Sequence, residues 1–375
     1  MSNINFPEIK KNFGFGCMRL PMKNGEVDCV EFSAMVDEFI NAGFNYFDTA
    51  HGYIDGKSEI AIRDCLAARY PRESYLLANK LSGPFFNSEE EIRPLFESQL
   101  KACGVEYFDF FLMHAQNRNN FEKFKHCNAY ETAFELKKEG KVRHVGLSFH
   151  DTSDMLDKIL IEYPEVEFVQ IQFNYVDYDD ASVDSKRCLE VCRKHGKPAI
   201  VMEPVKGGSL VNLPYEADDI LRALDGGSNA SYAIRYAASF DGIIMVLSGM
   251  GNMDMMRDNL SYMTDFKLLS DEEFLAIERV RDVFRAQDLI PCTDCKYCTE
   301  RCPKNIPIPA FFACLNGKRN FKNWSADQYY SIITSSGVKP TDCIKCGLCE
   351  SVCPQHLKIR DLLSQVEVTL GKKKS

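Results

Sequence analysis

The chain has 375 residues, 45% of them apolar, and a formal net charge of −9. That suits a globular protein with one large domain and a small one, or two to three average domains. No apolar stretch reaches the ~20 residues needed to cross a bilayer, and the N-terminus "MSNINFPEIKK" lacks the charged-then-apolar pattern of an export signal. A cytoplasmic protein is expected, with no membrane and no nucleic-acid partner.

Eight short apolar runs follow in chain order. They are "FGFGCMRLP" (13–21), "YFDTA" (46–50), "YLLANKL" (75–81), "FDFFLMH" (108–114), "HVGLSF" (144–149), "FVQIQFN" (168–174), "AIVMEP" (199–204) and "IIMVLSG" (243–249). Continuous apolar character of this kind suits parallel strands buried on both faces. Helical segments separate them. In Ser88–Cys103, Ser88 caps, Glu91 completes a capping box, and Ile92, Leu95, Phe96 and Leu100 form one apolar face. Another helix ends in "ELKKEGKVR", where Gly140 supplies the stop. Eight strand–helix alternations predict an α/β fold, a (β/α)8 TIM barrel over residues 1–285. A doubly wound sheet would want G-x-G-x-x-G after its first strand. Gly14 and Gly16, followed by Met18 and Arg19, do not supply it.

Barrels of this kind place their chemistry at the C-terminal ends of the strands. The second run ends at Asp48, with Tyr53 shortly after; the third ends at Lys80 and the fourth at His114. Singly, each has a plain reading: a capping Asp, a rim Tyr, a surface Lys, a hydrogen-bonded His. Together, at three neighbouring strand ends, they describe a site.

Sixteen cysteines complete the pattern. Eight are scattered (Cys17, Cys29, Cys65, Cys103, Cys127, Cys188, Cys192, Cys314) and read as small buried hydrophobes. The others form "CTDCKYCTERCP" (292–303) and "CIKCGLCESVCP" (343–354), both C-x-x-C-x-x-C-x-x-x-C-P. This is the bacterial ferredoxin spacing, in which the fourth cysteine serves the other cluster. Cys292, Cys295, Cys298 and Cys353 are expected to hold one [4Fe-4S] cluster, and Cys343, Cys346, Cys349 and Cys302 the second. Zinc sites use two separated pairs instead. A small ferredoxin-like 2[4Fe-4S] domain over 286–375 follows. From Pro291 to Ser375 there are 13 Lys and Arg against 7 Asp and Glu, so this part is basic. Part of that excess is Lys372, Lys373 and Lys374, which read as a solubilising end.

"YFDTAHGY" with Asp48 and Tyr53, "ANK" with Lys80 and "FLMH" with His114 resemble the tetrad of the aldo/keto reductase family. The resemblance runs from "GFGCMRLP" to "MRDNL", and "GKVRHVGLS" is similar too. The complete architecture resembles the family's iron–sulfur form. The implied reaction is reduction of a carbonyl, or oxidation of an alcohol, with a nicotinamide. Tyr53 is the expected general acid, and Lys80 the charge that lowers its pKa from about 10. Asp48 would pair with the lysine, and His114 would donate to the carbonyl. His51 reads more simply as a loop histidine.

For the cofactor, the resemblance implies Ser148 and Gln170 at the carboxamide, with His150 nearby, and Asn259 at adenine. Met18, Arg19, Gly249 and Gly251 line the expected path. In "EPVKGGSL", spanning Pro204 and Gly207, exposed backbone N–H groups would meet a pyrophosphate. Two departures stand out. The seventh strand ends in Met202-Glu203-Pro204, with no aromatic residue to stack on the ring. The last loop offers Arg257 as its cation for a ribose phosphate, displaced from the usual place. NADH and NADPH both stay open, with flavin as the alternative occupant.

The implied substrate is a small carbonyl or alcohol; loop 115–128 and the cysteine-rich tail would select it, with Tyr175 and Tyr178 as candidates to line the pocket. The clusters would carry electrons to or from an external carrier, an acidic ferredoxin or flavodoxin that a basic surface attracts. The alternatives are an NAD(P)H-dependent reductase with purely structural clusters, or a non-enzymatic redox-sensing or binding protein.

Overall fold

The computed structural model describes residues 6–371 apart from 181–182, 225, 287–288, 322–323 and 336. The lysines at 372–374 lie outside the described residues. Eight parallel strands close into a barrel in chain order: β1 (Phe13–Gly16), β2 (Tyr46–Asp48), β3 (Leu76–Leu81), β4 (Phe108–Gln116), β5 (Val142–Phe149), β6 (Phe168–Gln172), β7 (Ala199–Met202) and β8 (Ile243–Gly249). β8 pairs back onto β1, with Phe13 opposite Val246. Each apolar run of the sequence is one of these strands.

Side chains alternate along a strand with period 2. The inner face therefore carries Tyr46, Leu76, Ala78, Phe110, Leu112, Phe168, Ile200, Met245 and Leu247, packed as one apolar cluster with Phe6 and Ile9. Two residues further along the same faces stand Asp48, Lys80, His114 and Gln170. The same alternation that fills the barrel with hydrophobes thus lifts polar groups to its C-terminal end. On the outer face Phe13, Phe15 and Phe47 pack with Phe39 of the helix Cys29–Asn41, for example Phe15 to Phe39 at 5.6 Å between ring centroids.

One helix begins differently from its sequence signal. Glu89–Glu91 form a 3-10 turn, and the α-helix runs Ile92–Cys103 without a Ser88 cap. The Ser88 side chain is bonded to Glu90, while Glu91 Oε2 accepts from Asn87 N at 2.7 Å. Gly140 does end its helix, at φ +78°, with Lys141 N donating to Leu136 O at 3.0 Å.

The chain divides into two compact units, Met1–Pro204 with Ala230–Leu269, and Val205–Asn229 with Ser270–Ser375. This differs from the sequence boundary at 285/286. The segment after β7 belongs with the cysteine-rich part because its helix Tyr215–Arg222 packs on the helix Asp271–Ala286. The second unit is otherwise helical, with longer helices at Ile308–Phe321, Trp324–Ser335 and Ile359–Leu370. Its core joins Phe311, Phe312, Leu315, Leu363 and Val366 to the buried Cys298 and Cys349. No helix among the described residues is long and apolar enough to cross a membrane.

Candidate active site and cluster sites

Asp48 ends β2 and Lys80 lies near the end of β3, both buried. Lys80 Nζ donates to Asp48 Oδ1 at 2.6 Å and to Thr49 O at 2.7 Å. The same ammonium stands 4.8 Å from the centroid of the Tyr53 ring. His114, on β4, has its ring centroid 5.9 Å from that of Tyr53, at 76°. The structure therefore brings all four residues together in the first unit. His114 Nδ1 and Ser82 Oγ are 2.6 Å apart.

Burial dominates the electrostatics. It pushes the Tyr53 phenol well above 10; Asp48 and Glu203 add to the rise and Arg19 opposes it. Lys80 is not among the charges that shift it. The ammonium is already paired with a carboxylate at 2.6 Å, so the phenol faces a nearly neutral pair. Burial lowers Lys80 and raises Asp48, and each partner pulls the other back. His114 is held well below 6.5 by burial, then by Lys80 and His150. Tyr53 is thus a neutral phenol beside a neutral imidazole.

Ser148, near the end of β5, accepts from Ala115 N at 2.8 Å through Oγ, which leaves its O–H to donate elsewhere. Gln170, on β6, is 3% exposed, and its Oε1 has no hydrogen-bond partner. An unsatisfied buried acceptor fits the N–H of a carboxamide. His150 follows β5 and is partly exposed. Met18 and Arg19 follow β1, and Gly249 ends β8 with its α-carbon facing the Arg19 side chain. Gly251 faces open space. Asn259 is buried, donating to Ser248 Oγ at 2.8 Å and accepting from Tyr262. Pro204 closes the barrel unit, whereas Gly207 belongs to the other one. A Cβ on Gly207 would meet Thr293 O at 2.2 Å, so the close approach that requires glycine there is to the cysteine run. Tyr175 is fully buried, and Tyr178 packs with Phe173, Tyr236 and Phe240.

The sequence pattern singled out neither Ser82 nor the acidic role of Glu203. It also missed a buried network behind Lys80. Glu59 holds His51 Nδ1 at 2.9 Å and Asn79 Nδ2 at 2.8 Å. Gln99 Nε2 reaches Asn79 Oδ1 and Lys80 O, both at 3.0 Å. A Ser-Glu pair five residues after Tyr53 was the available signal. Of the eight scattered cysteines, Cys29 is exposed and the other seven are buried. Cys29 starts a helix, where its side chain faces solvent.

The two cysteine runs share one backbone. Asp294 and Lys296 are left-handed in the first, at φ +52° and +68°; Lys345 and Gly347 take the same places in the second, at +57° and +79°. Asn305 and His356, three residues after each fourth cysteine, are left-handed too. Such turns aim successive N–H groups inward, as anionic clusters require. Burial pushes the Cys298 thiol up to about 12, and Cys295, Cys292 and Cys353 each stand near enough to add to it. Cys302, Cys343, Cys346 and Cys349 line one small recess.

The model of the aldo/keto reductase family matches residues 12–282, and that of a 4Fe-4S dicluster domain matches residues 291–358. The NADH-specific methylglyoxal reductase of Escherichia coli is 27% identical over 210 residues, 51% of this chain and 61% of that protein. The uncharacterized oxidoreductase YqkF of Bacillus subtilis is 21% identical over 319 residues, 76% of this chain and 96% of that protein. Among solved structures, the holo form of aldo-keto reductase AKR11C1 from Bacillus halodurans superposes with a TM-score of 0.60 at 22% identity, over 72% of this chain and 92% of that one. An aldo-keto reductase from Klebsiella pneumoniae in complex with NADPH gives 0.59 at 19%, over 73% and 95%. At these identities the structures establish the shared barrel.

Proposed function

We propose that this chain, which belongs to the aldo/keto reductase family, reduces a small carbonyl compound with NADH, and that two [4Fe-4S] clusters exchange electrons with an external one-electron carrier. The protein is an oxidoreductase of that family with a 4Fe-4S domain. The observation that carries the reading is the grouping of Tyr53, Lys80, Asp48 and His114, with Lys80 Nζ 2.6 Å from Asp48 and 4.8 Å from the Tyr53 ring centroid.

Bound NADH supplies a hydride to the carbonyl carbon, so that a carbonyl, NADH and one proton give an alcohol and NAD⁺. Tyr53 donates that proton to the carbonyl oxygen. Its raised pKa keeps the proton in place until the oxygen gains charge. His114, neutral and steadied at Nδ1 by Ser82, donates through Nε2 and orients the carbonyl. The Lys80–Asp48 pair, neutral overall, fixes the ammonium 4.8 Å from the Tyr53 ring centroid and so holds the ring in place. Gln170 Oε1 and the Ser148 hydroxyl take the two ends of the carboxamide. Arg19 and Glu203 flank the phenol and set the balance of charge around it.

Two contacts favour NADH. Arg257 is paired with Glu38 at 3.1 Å, and Glu31 Oε1 accepts from Met253 N at 3.0 Å at the start of the helix that carries Asn259. A 2′-phosphate there would meet carboxylates rather than an open cation. The E. coli relative named as NADH-specific is in keeping with this. For the clusters, which each store one electron when bound, the carrier is a small acidic protein. Ile344 and Leu348 are exposed apolar residues beside the exposed Cys346, with Lys304 and Lys345 close by in sequence or cavity.

The test is anaerobic turnover of the holoprotein with methylglyoxal as probe. NADH is consumed, with kcat/KM at least about tenfold above that for NADPH, near 1.4 kcal/mol. Reduction of the clusters by flavodoxin hydroquinone slows as salt rises. No NADH consumption across a panel of small aldehydes and ketones would defeat the reading.

A further inference from the structure

One buried side chain in the second unit has no task in this account. Gln355 is 4% exposed, and its Nε2 finds no hydrogen-bond partner. An amide nitrogen buried without an acceptor is costly, so its native partner is a group not made of protein. The orientation of the amide is fixed. Lys206 Nζ, itself buried, donates to Gln355 Oε1 at 3.0 Å, which leaves Nε2 as the amide's donor.

The place of Gln355 says what that acceptor is. It lies two residues after Cys353, in a turn closed by His356 N donating to Cys353 O at 3.0 Å. The left-handed His356, at φ +49°, turns this stretch back toward the cysteine, and the N–H groups of Leu357 and Gln355 stand near enough to the thiol to lower its pKa. Cys353 is grouped with Cys298, as are Cys292 and Cys295. Lys304 follows Cys302 at the matching position, and it is exposed.

We propose that Gln355, held by Lys206, donates its Nε2–H to a sulfur of the cluster ligated by Cys292, Cys295, Cys298 and Cys353, and that this raises the reduction potential of that cluster above that of its partner. The inference rests on reading the eight cysteines as cluster ligands. Reduction adds one electron, taking [4Fe-4S]²⁺ to [4Fe-4S]⁺, and the added negative charge gathers on sulfur. An N–H donor aimed there stabilises the reduced form. An electron that arrives at the cluster with the exposed Cys346 then settles on the one beside Gln355.

The experiment is a dithionite titration of the reconstituted holoprotein under argon, with mediators, followed by electron paramagnetic resonance. Wild type should show two midpoints. Gln355→Leu should move the higher one to more negative potential and leave the lower one in place. Lys206→Met should move the same midpoint, because the amide loses its anchor. A second measurement needs no variant: in protein carrying ¹⁵N in the glutamine side chains, the reduced higher-potential cluster should show a ¹⁵N coupling. Gln355→Leu protein with both clusters intact and both midpoints unmoved would overturn the proposal, as would absence of that coupling. Wild type without any [4Fe-4S] signal would instead bring down the reading of the cysteines beneath it.

Discussion

A phenol pushed up and an imidazole pushed down leave Tyr53 and His114 both uncharged across the neutral range. The signs fix a pH profile. Below 6.5 the unfolded chain binds the histidine proton that folded His114 refuses. Its contribution to stability is therefore present above 6.5 and lost as pH falls through the folded value. Tyr53 runs the other way: its contribution is present below 10 and lost as pH rises through its raised value. For reduction, kcat/KM should be level between 6.5 and 10, and a limb centred near 7 would contradict these assignments. Ser82→Ala removes the hydroxyl 2.6 Å from His114 Nδ1. It should lower kcat by roughly fivefold, the worth of ~1 kcal/mol of hydrogen bond, with KM for the carbonyl little changed. Asp48, Lys80 and His114 were legible in the sequence because polar residues at strand ends interrupt apolar runs. Ser82 was not, because its use depends on where β4 places the imidazole. Glu203 was not either, because its approach depends on a left-handed turn, φ +57°, at the end of β7.

At the scale of elements, the segment after β7 is the instructive case. Its glycines read in sequence as a loop open to phosphate. Gly207 is indeed left-handed, at φ +64°, but the group pressed against its α-carbon is the carbonyl of Thr293. Glycine in a sequence signals an unusual backbone or a close approach, not the identity of what approaches. Gly207→Ala should therefore destabilise the cysteine-rich unit by about 1–3 kcal/mol. The measurement is chemical denaturation followed by cluster absorbance, with the barrel followed separately by its far-ultraviolet signal. Equal stability of variant and wild type would mean that the loop does not pack on the first cysteine run. The strands were plain in sequence because parallel strands buried on both faces need unbroken apolar runs. The helix after Ser88 was shifted because three consecutive glutamates offered the backbone a nearer acceptor than serine did.

At the scale of the molecule there are two compact units: one with the barrel of the aldo/keto reductase family, and a helical one with the twinned cysteine turns of a 4Fe-4S domain. The sequence displayed both, since a repeated eleven-residue cysteine spacing and eightfold strand–helix alternation are long-range patterns that single residues cannot obscure. It could not display the division between them, because Val205–Asn229 lies inside the barrel in sequence and with the cysteines in space. The central claim is that Tyr53 delivers the proton in a hydride transfer at the barrel. Its most direct test is deuterium transfer from [4-²H]NADH to the carbonyl carbon of methylglyoxal under argon, in wild type and Tyr53→Phe. Wild type should label the alcohol. The variant should bind NADH with unchanged affinity yet label at less than about a hundredth of the rate; labelling by Tyr53→Phe at the wild-type rate would contradict the account.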